Sequence, residues 1–410
     1  MMRFRMRTFS FATLLGCSVF LAGAARFAVG QEPAPGGDPA SGEKPEAVEE
    51  AAPPELSPEM AALRDSLRQA LARVAKQPPN TRDNTPGEMI SFCLAFGCDA
   101  NVGNGSPSGQ KISGIGCLCW NYPCAGYRLL RTSGDRVLAR VGYGLQSRPT
   151  ELLAVLAQSR APVEYEVRVG DVQGTVADLV EFEKLNCRGQ TDLSGALVGL
   201  AHYVEDDEPW TNDLGEEWSF ERLVREELDR SPRLSASDAT DRLTGLSYAV
   251  DRQTKRELPL EGAFLRAEEY LGKFQEHAFE LQNPDGTWHP NFFARKGTSS
   301  DATATLRSTG HILEWLVFSL PGDRLEDPRV IRSVAYVAKV FASQRSGWSV
   351  VSLSARDIGS VMHAAHALSI YDRRVFRSPV PIEPEGPTKQ ARRIDPEKGT
   401  EKIEGPRLTF

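Results

Sequence analysis

Between Pro58 and Phe376 apolar residues return with a period near 3.6, the spacing that gathers them on one side of a helix. The first such segment opens with Ser57-Pro58-Glu59, a cap, a proline at the first helical position and an early acid, after which Leu63, Leu67, Leu71 and Val74 form one stripe. Comparable stripes occur at 88–96, 150–156, 177–185, 193–204, 219–228, 239–250, 260–281, 308–320, 328–341 and 357–371. Only 163–172, which carries the alternating Tyr165-Glu166-Val167-Arg168-Val169, reads as a strand or hairpin. The expected fold class is therefore all-α with one short hairpin-like insertion. Segments 333–341 and 361–368 are apolar or small on more than one face, so they need neighbours on several sides, which points to layered helices over a three-helix bundle.

The two ends break this pattern. Residues 1–30 place Arg3, Arg5 and Arg7 ahead of an apolar run from Phe9 to Ala25 and a small-residue exit at Ala28-Val29-Gly30, the three parts of a secretory signal. Leu14-Leu15-Gly16-Cys17 matches a lipoprotein box in type, but the apolar run continues past Cys17, which favours cleavage near Gly30 over acylation. Residues 31–57 are rich in Pro, Gly, Ala and Glu and nearly empty of large apolar side chains, as is the Pro-studded stretch 377–410, and both are expected to be unstructured. Between them, 58–192 reads as an N-terminal helical region and 193–376 as a repeat region.

The chain of 410 residues carries −7, and removing residues 1–30 takes away four arginines and no acid, lowering this to −11. An acidic exported protein of this kind, periplasmic or extracellular, is not expected to bind nucleic acid, since no basic face is available to neutralise phosphates. No membrane span is expected to remain after cleavage.

Gln282-Asn283-Pro284-Asp285-Gly286-Thr287-Trp288 resembles the QW motif of the squalene and hopene cyclases, in the superfamily that also holds the protein prenyltransferases. A shortened copy is Gln344-Arg345-Ser346-Gly347-Trp348, its tryptophan 60 residues after the first, and Asp213-Leu214-Gly215-Glu216-Glu217-Trp218 is a partial echo without the Gln. The resemblance implies an α/α toroid, a layered helical barrel around a central cavity. It further implies that Gln282 caps the preceding helix, that Asp285-Gly286 turns the chain and that Trp288 stacks on the Gln side chain.

The chemistry of that superfamily is not written here. A cyclase acid of the Asp-x-Asp-Asp type is absent; the nearest run, Glu205-Asp206-Asp207-Glu208, departs from it and reads as a solvated loop. No Asp-Asp-x-x-Asp occurs, and every cysteine of the mature chain precedes the first histidine, which leaves no local zinc pattern of the prenyltransferase kind. No metal and no cofactor is expected. Cys93, Cys98, Cys117, Cys119, Cys124 and Cys187 are open to small buried thiols, one or two disulfides, or a metal site.

The histidines are the remaining polar candidates. His202-Tyr203 ends one helix, His311 with Glu314 and Trp315 opens another, and His363 with His366 shares a face one turn apart. His202, Tyr203, His311, Glu314 and His363 are the candidates for a catalytic role, with Trp315, Arg307 and His366 as ligand-binding residues; histidines amid Ala and Leu also serve as hydrogen-bonded core residues. Three functions follow in order of preference. The first is an exported, non-catalytic binding or scaffold protein. The second is a glycan-active enzyme similar to polysaccharide lyases, with His202 and Tyr203 beside Arg242 or Arg307. The third is a terpenoid-cyclase-like enzyme. An unidentified glycan or lipid is the expected partner.

Overall fold

The computed structural model describes residues 56–134, 136–231, 236–343 and 355–377. Residues 1–55, which hold the expected secretory signal and most of the expected linker 31–57, the stretch from 378 and the second QW-like copy with Gln344, Gly347 and Trp348 lie outside the described residues. Within them the protein is mostly helical, with twelve α-helices and four two-stranded antiparallel sheets. No helix among the described residues is long and apolar enough to cross a membrane.

Local sequence chemistry sets the helix starts. Ser57 accepts from Met60 N ahead of Pro58 in α1 (Pro58–Ala75), and Thr85 and Glu88 close a reciprocal capping box on α2 (Pro86–Phe96). α3 (Gly114–Cys119) follows, a single short turn that the periodicity does not reveal because six residues cannot repeat it. Then come α4 (Glu151–Gln158), α5 (Val176–Leu185), α6 (Ser194–Tyr203), α7 (Phe220–Asp229), α8 (Ala236–Lys255), α9 (Gly262–Leu281), α10 (Ala302–Ser319), α11 (Pro328–Ala342) and α12 (Ala355–Val375).

The even-numbered helices contact one another in sequence, α2 on α4, α4 on α6, α6 on α8, α8 on α10 and α10 on α12, and α12 returns to α2. Odd-numbered helices back this cycle: α1 and α11 pack on each other and on α12, α9 on α8, α7 on α9, and α5 on α6. Trp218, Trp288, Trp315 and Tyr371 are the largest side chains fully removed from solvent.

The single expected hairpin is one of four. β1 (Asn101–Gly103) and β2 (Lys111–Ser113), β3 (Leu130–Ser133) and β4 (Arg136–Ala139), and β7 (Trp210–Thr211) and β8 (Glu217–Trp218) accompany β5 (Glu166–Val169) and β6 (Val172–Thr175). β5–β6 turns through the two residues Gly170-Asp171, with Gly170 at φ +59°, and β3–β4 also turns through two, with Gly134 at φ +63°, but only β5–β6 follows an alternating run in the sequence. The strands of β1–β2 and β7–β8 are too short to impose a period of two, and Arg136-Val137-Leu138-Ala139 of β4 does not alternate.

The QW-like corner joins α9 to α11. Gln282 is the C-cap residue of α9, but its amide donates to Arg329 O at 3.0 Å and Ser333 Oγ at 2.8 Å on α11, so it ties the next outer helix instead of capping its own. The expected cap is supplied by Trp288, whose indole N–H donates to Ala278 O at 2.7 Å in the last turn of α9. Gly286, at φ +87°, lies where a Cβ would come within 2.6 Å of Arg332 C, so α11 crosses the turn at a distance only glycine allows. Asp285 accepts from Thr287 N and Oγ1, which shapes that turn as expected.

The segment before α4 is held from two sides. Gln146 donates to Ala139 O and accepts from Leu152 N, bridging β4 to the start of α4. Thr150, left-handed at φ +66°, donates to Glu183 Oε2 on α5 at 2.9 Å. Burial pushes the Glu183 carboxyl up to about 7, against the partial relief of that hydrogen bond.

Two predictions follow from these contacts. Replacing Trp288 by Ala removes a fully buried indole and the cap of α9, and denaturant titration is expected to register a loss of about 3–5 kcal/mol. Glu183 holds its proton in the folded protein at pH values where the unfolded chain, near 4.5, has released it. Its stabilising contribution is therefore complete below the unfolded value and is lost as pH rises through about 7. E183Q keeps a neutral acceptor for Thr150, so its melting temperature is expected to exceed that of the parent at alkaline pH by the equivalent of about 3 kcal/mol, and to converge with it in acid.

Candidate functional site

The cycle of even-numbered helices encloses a cavity whose lining draws on all six: Ser91 from α2, Val155 from α4, Val198 from α6, Thr244 from α8, Glu314 from α10 and His363 from α12. Its inner part holds about 50 Å³, and it widens into a mouth of about 630 Å³ that shares Ser91, Arg148, Glu151, Asp241, His311 and His363. A volume of that size is in the range of small-molecule sites.

On one wall α10 and α12 come close, because Gly310 has no side chain to meet Ala364; a Cβ there would stand 2.8 Å from the alanine Cβ. The approach brings the polar faces of the two helices together. Glu314 accepts from His363 Nδ1 through Oε2 and from His366 Nδ1 through Oε1, both at 2.6 Å. An ionised carboxylate has only acceptors to offer, so both imidazoles carry their proton on Nδ1 and keep Nε2 for other partners. The His311 ring lies against that of His363, centroids 3.9 Å apart and tilted by 32°.

The electrostatics follow from this geometry. Burial drives the Glu314 carboxyl upward, but the His363 charge and the two imidazole hydrogen bonds outweigh it and hold the group well below the usual carboxylate range. Burial likewise opposes charge on His363, yet Glu314 keeps its pKa above the ordinary histidine value. Burial, joined by the His363 charge, pushes His311 well below that value. His366 is lowered by burial despite Glu314. One donor atom from each of His311, Glu314 and His363 lies within 4.8 Å of the others.

Across the cavity, Arg148 pairs with Asp241 of α8. Glu151 accepts from Ser147 N and Oγ. Arg307 lines the mouth and has no hydrogen bond or ion pair among the described residues. Tyr143 sits between Gly142 and Gly144, which line the mouth, and is 87% exposed; its ring meets that of Tyr127 edge-on at 6.5 Å.

Of the residues singled out by sequence, His311, Glu314, His363 and Arg307 therefore border the cavity, and His366 stands behind Glu314. Trp315 does not: it is fully buried between α8 and α10, where its indole donates to Ser247 Oγ at 3.1 Å. His202 and Tyr203 lie at the far end of α6 from the lining residues Ser194, Gly195 and Val198; His202 is exposed and the Tyr203 hydroxyl donates to Ala161 O. Arg242 turns to Glu227 and to Arg230 O. The acidic run after α6 is a loop in which Asp207 pairs with Arg252 and Arg256. No disulfide joins the six cysteines among the described residues, and five of them are buried.

Arg148, Glu151, Asp241 and Tyr143 escaped the sequence reading. The trace available for Asp241 was the polar set Thr240, Asp241 and Thr244 on a single face of an otherwise amphipathic helix, and for Tyr143 the Gly-Tyr-Gly run itself.

No family model, no curated protein and no solved structure matches this chain. The site is thus read on its own geometry.

Proposed function

We propose that the protein is an exported α/α toroid whose central cavity binds a polar, hydroxyl-rich ligand of the glycan class. The observation that carries this reading is the set of hydroxyl, carboxylate, guanidinium and imidazole groups that all six even-numbered helices present to the cavity, set among the aliphatic Ile90, Leu94, Leu145, Val155 and Val198, with Phe292 the one phenyl ring among the described lining residues. The cyclic order of those helices, with α1, α5, α7, α9 and α11 packed behind the cycle, supports the toroid. A polyene-folding cavity would face its developing cations with several aromatic rings and few ionised groups, so the carboxylates, guanidiniums and imidazoles beside a single phenyl ring speak against a polyene, and the missing acid motif against cyclisation.

The exposed Tyr143 at the rim supports a sugar in particular. A flat amphipathic ring beside a polar well offers an apolar face to the C–H side of a pyranose while the well satisfies its hydroxyls. His202, Tyr203 and Arg242 are dispersed, which supports binding over a lyase reaction using that set. The Arg-rich, apolar, small-residue order of 1–30 supports export.

Screening the intact protein against mono- and oligosaccharides by calorimetry tests the reading. Y143A is expected to weaken the best ligand about tenfold with an unchanged melting temperature, since an exposed ring adds little to stability. Binding of prenyl lipids with indifference to all sugars would overturn it. For export, the first residue found by Edman sequencing of the processed protein is expected to be at or near Gln31; a chain still starting at Met1 in the host would reject that part.

A further inference from the structure

We propose that His311, His363 and Glu314 form a binding site for a first-row divalent transition cation, zinc being the simplest probe, on the wall of the cavity. The donor set selects the class of ion. Two imidazoles and a carboxylate suit zinc and its neighbours, whereas magnesium and calcium take oxygen donors. The spacing is close to what one ion requires: ligands at about 2.0–2.2 Å around a tetrahedral centre stand about 3.3 Å from each other, and the three donors lie within 4.8 Å already.

The supporting contacts match those that orient metal ligands elsewhere in proteins. Glu314 Oε2 and His363 Nδ1, 2.6 Å apart around one proton, are the pair between which the ion enters in place of that proton, the two atoms opening to about 3.3 Å. His366 takes the other carboxylate oxygen and prevents Glu314 from swinging away. The His311 ring lies 3.9 Å from that of His363, centroid to centroid and tilted by 32°, which brings imidazoles from two helices onto one wall. Around them, the carboxylates of Glu88, Glu151, Asp241 and Glu314 outnumber the guanidiniums of Arg148 and Arg307, an imbalance that favours a cation. Three protein donors leave at least one coordination position facing the cavity, open to water or to a hydroxyl of a bound ligand. The site stands whether or not that ligand is a sugar.

The test uses the full chain, stripped with a chelator and titrated with Zn²⁺ by calorimetry and with Co²⁺ by absorption. One ion per chain is expected, with ligand-field bands of low-symmetry cobalt in the visible and no thiolate charge-transfer band. H311Q and H363Q are each expected to weaken the ion about tenfold or more, with far-UV circular dichroism unchanged; Gln at 363 retains an N–H for Glu314, and H311Q alone decides if H363Q does not fold. Absence of stoichiometric binding, a thiolate band, or binding equal in the parent and in H311Q would overturn the proposal.

Discussion

The contact on which the cavity depends is the one between α10 and α12, where Gly310 lets the helices close and Glu314 then bridges to two imidazoles of the opposite helix. A carboxylate taken out of water costs several kcal/mol unless its oxygens are occupied. Here both are, by short hydrogen bonds to N–H groups that have no better acceptor nearby. Because the two imidazoles sit one turn apart on α12, the bridge fixes the helices in rotation as well as in distance. His311 on the preceding turn is then forced against His363, and the cavity wall is complete. The same device recurs where α6 meets α8: a Cβ on Gly245 would come within 2.7 Å of Ser194 O. Close seams of this kind draw the six helices tight enough to leave about 50 Å³ at the inner end of the cavity while the loops above hold the mouth open.

How much of this could be read from the chain differs by element for physical reasons. Eleven of the helices were legible, because each buries one face and writes that face into the spacing of Leu, Val and Ala; the short α3 was not. His363 and His366 were legible as a pair because positions i and i+3 share a face whatever the fold, and Glu314 stood one turn beyond His311 for the same reason. That Glu314 belongs to both helices was not legible, since nothing local says which turn of α12 faces which turn of α10. Arg148 and Asp241, brought together from a loop and from α8 across 93 residues of chain, carry no pattern at all. Trp315 was misplaced in the opposite sense: it shares a sequence neighbourhood with the site but points a third of a turn away, into the seam with α8.

The QW-like corner shows why a motif can be right about a place and wrong about its workings. The spacing of Gln, Gly and Trp requires a helix end, a tight turn and a large ring returning beneath it, and the chain has all three in that order. Which side chain meets which backbone group is set by the neighbouring helix. With Arg329 O and Ser333 Oγ of α11 within reach, the Gln282 amide finds its partners there, and the indole N–H of Trp288, buried and in need of an acceptor, takes the carbonyl left at the end of α9. The corner thus ties α9 and α11 together through side chains that the sequence spacing alone does not pair.

The six cysteines bear on the cavity by staying out of it. Sulfur is the softer donor and would compete with imidazole for zinc, but only as thiolate. Burial pushes the thiols of Cys119, Cys124 and Cys187 up to about 12, and those of Cys93 and Cys117 higher, with neighbouring thiols adding repulsion at Cys93. A group so far above neutrality is protonated and packs as a small apolar residue. Imidazole needs no such ionisation, because a neutral ring carries one lone-pair nitrogen in either tautomer, and at His363 an ion entering against Glu314 takes the place of a proton already held there. In this molecule the ligand that is weaker in principle is therefore the one available in practice, and the place to look for an ion is the histidine wall of the cavity.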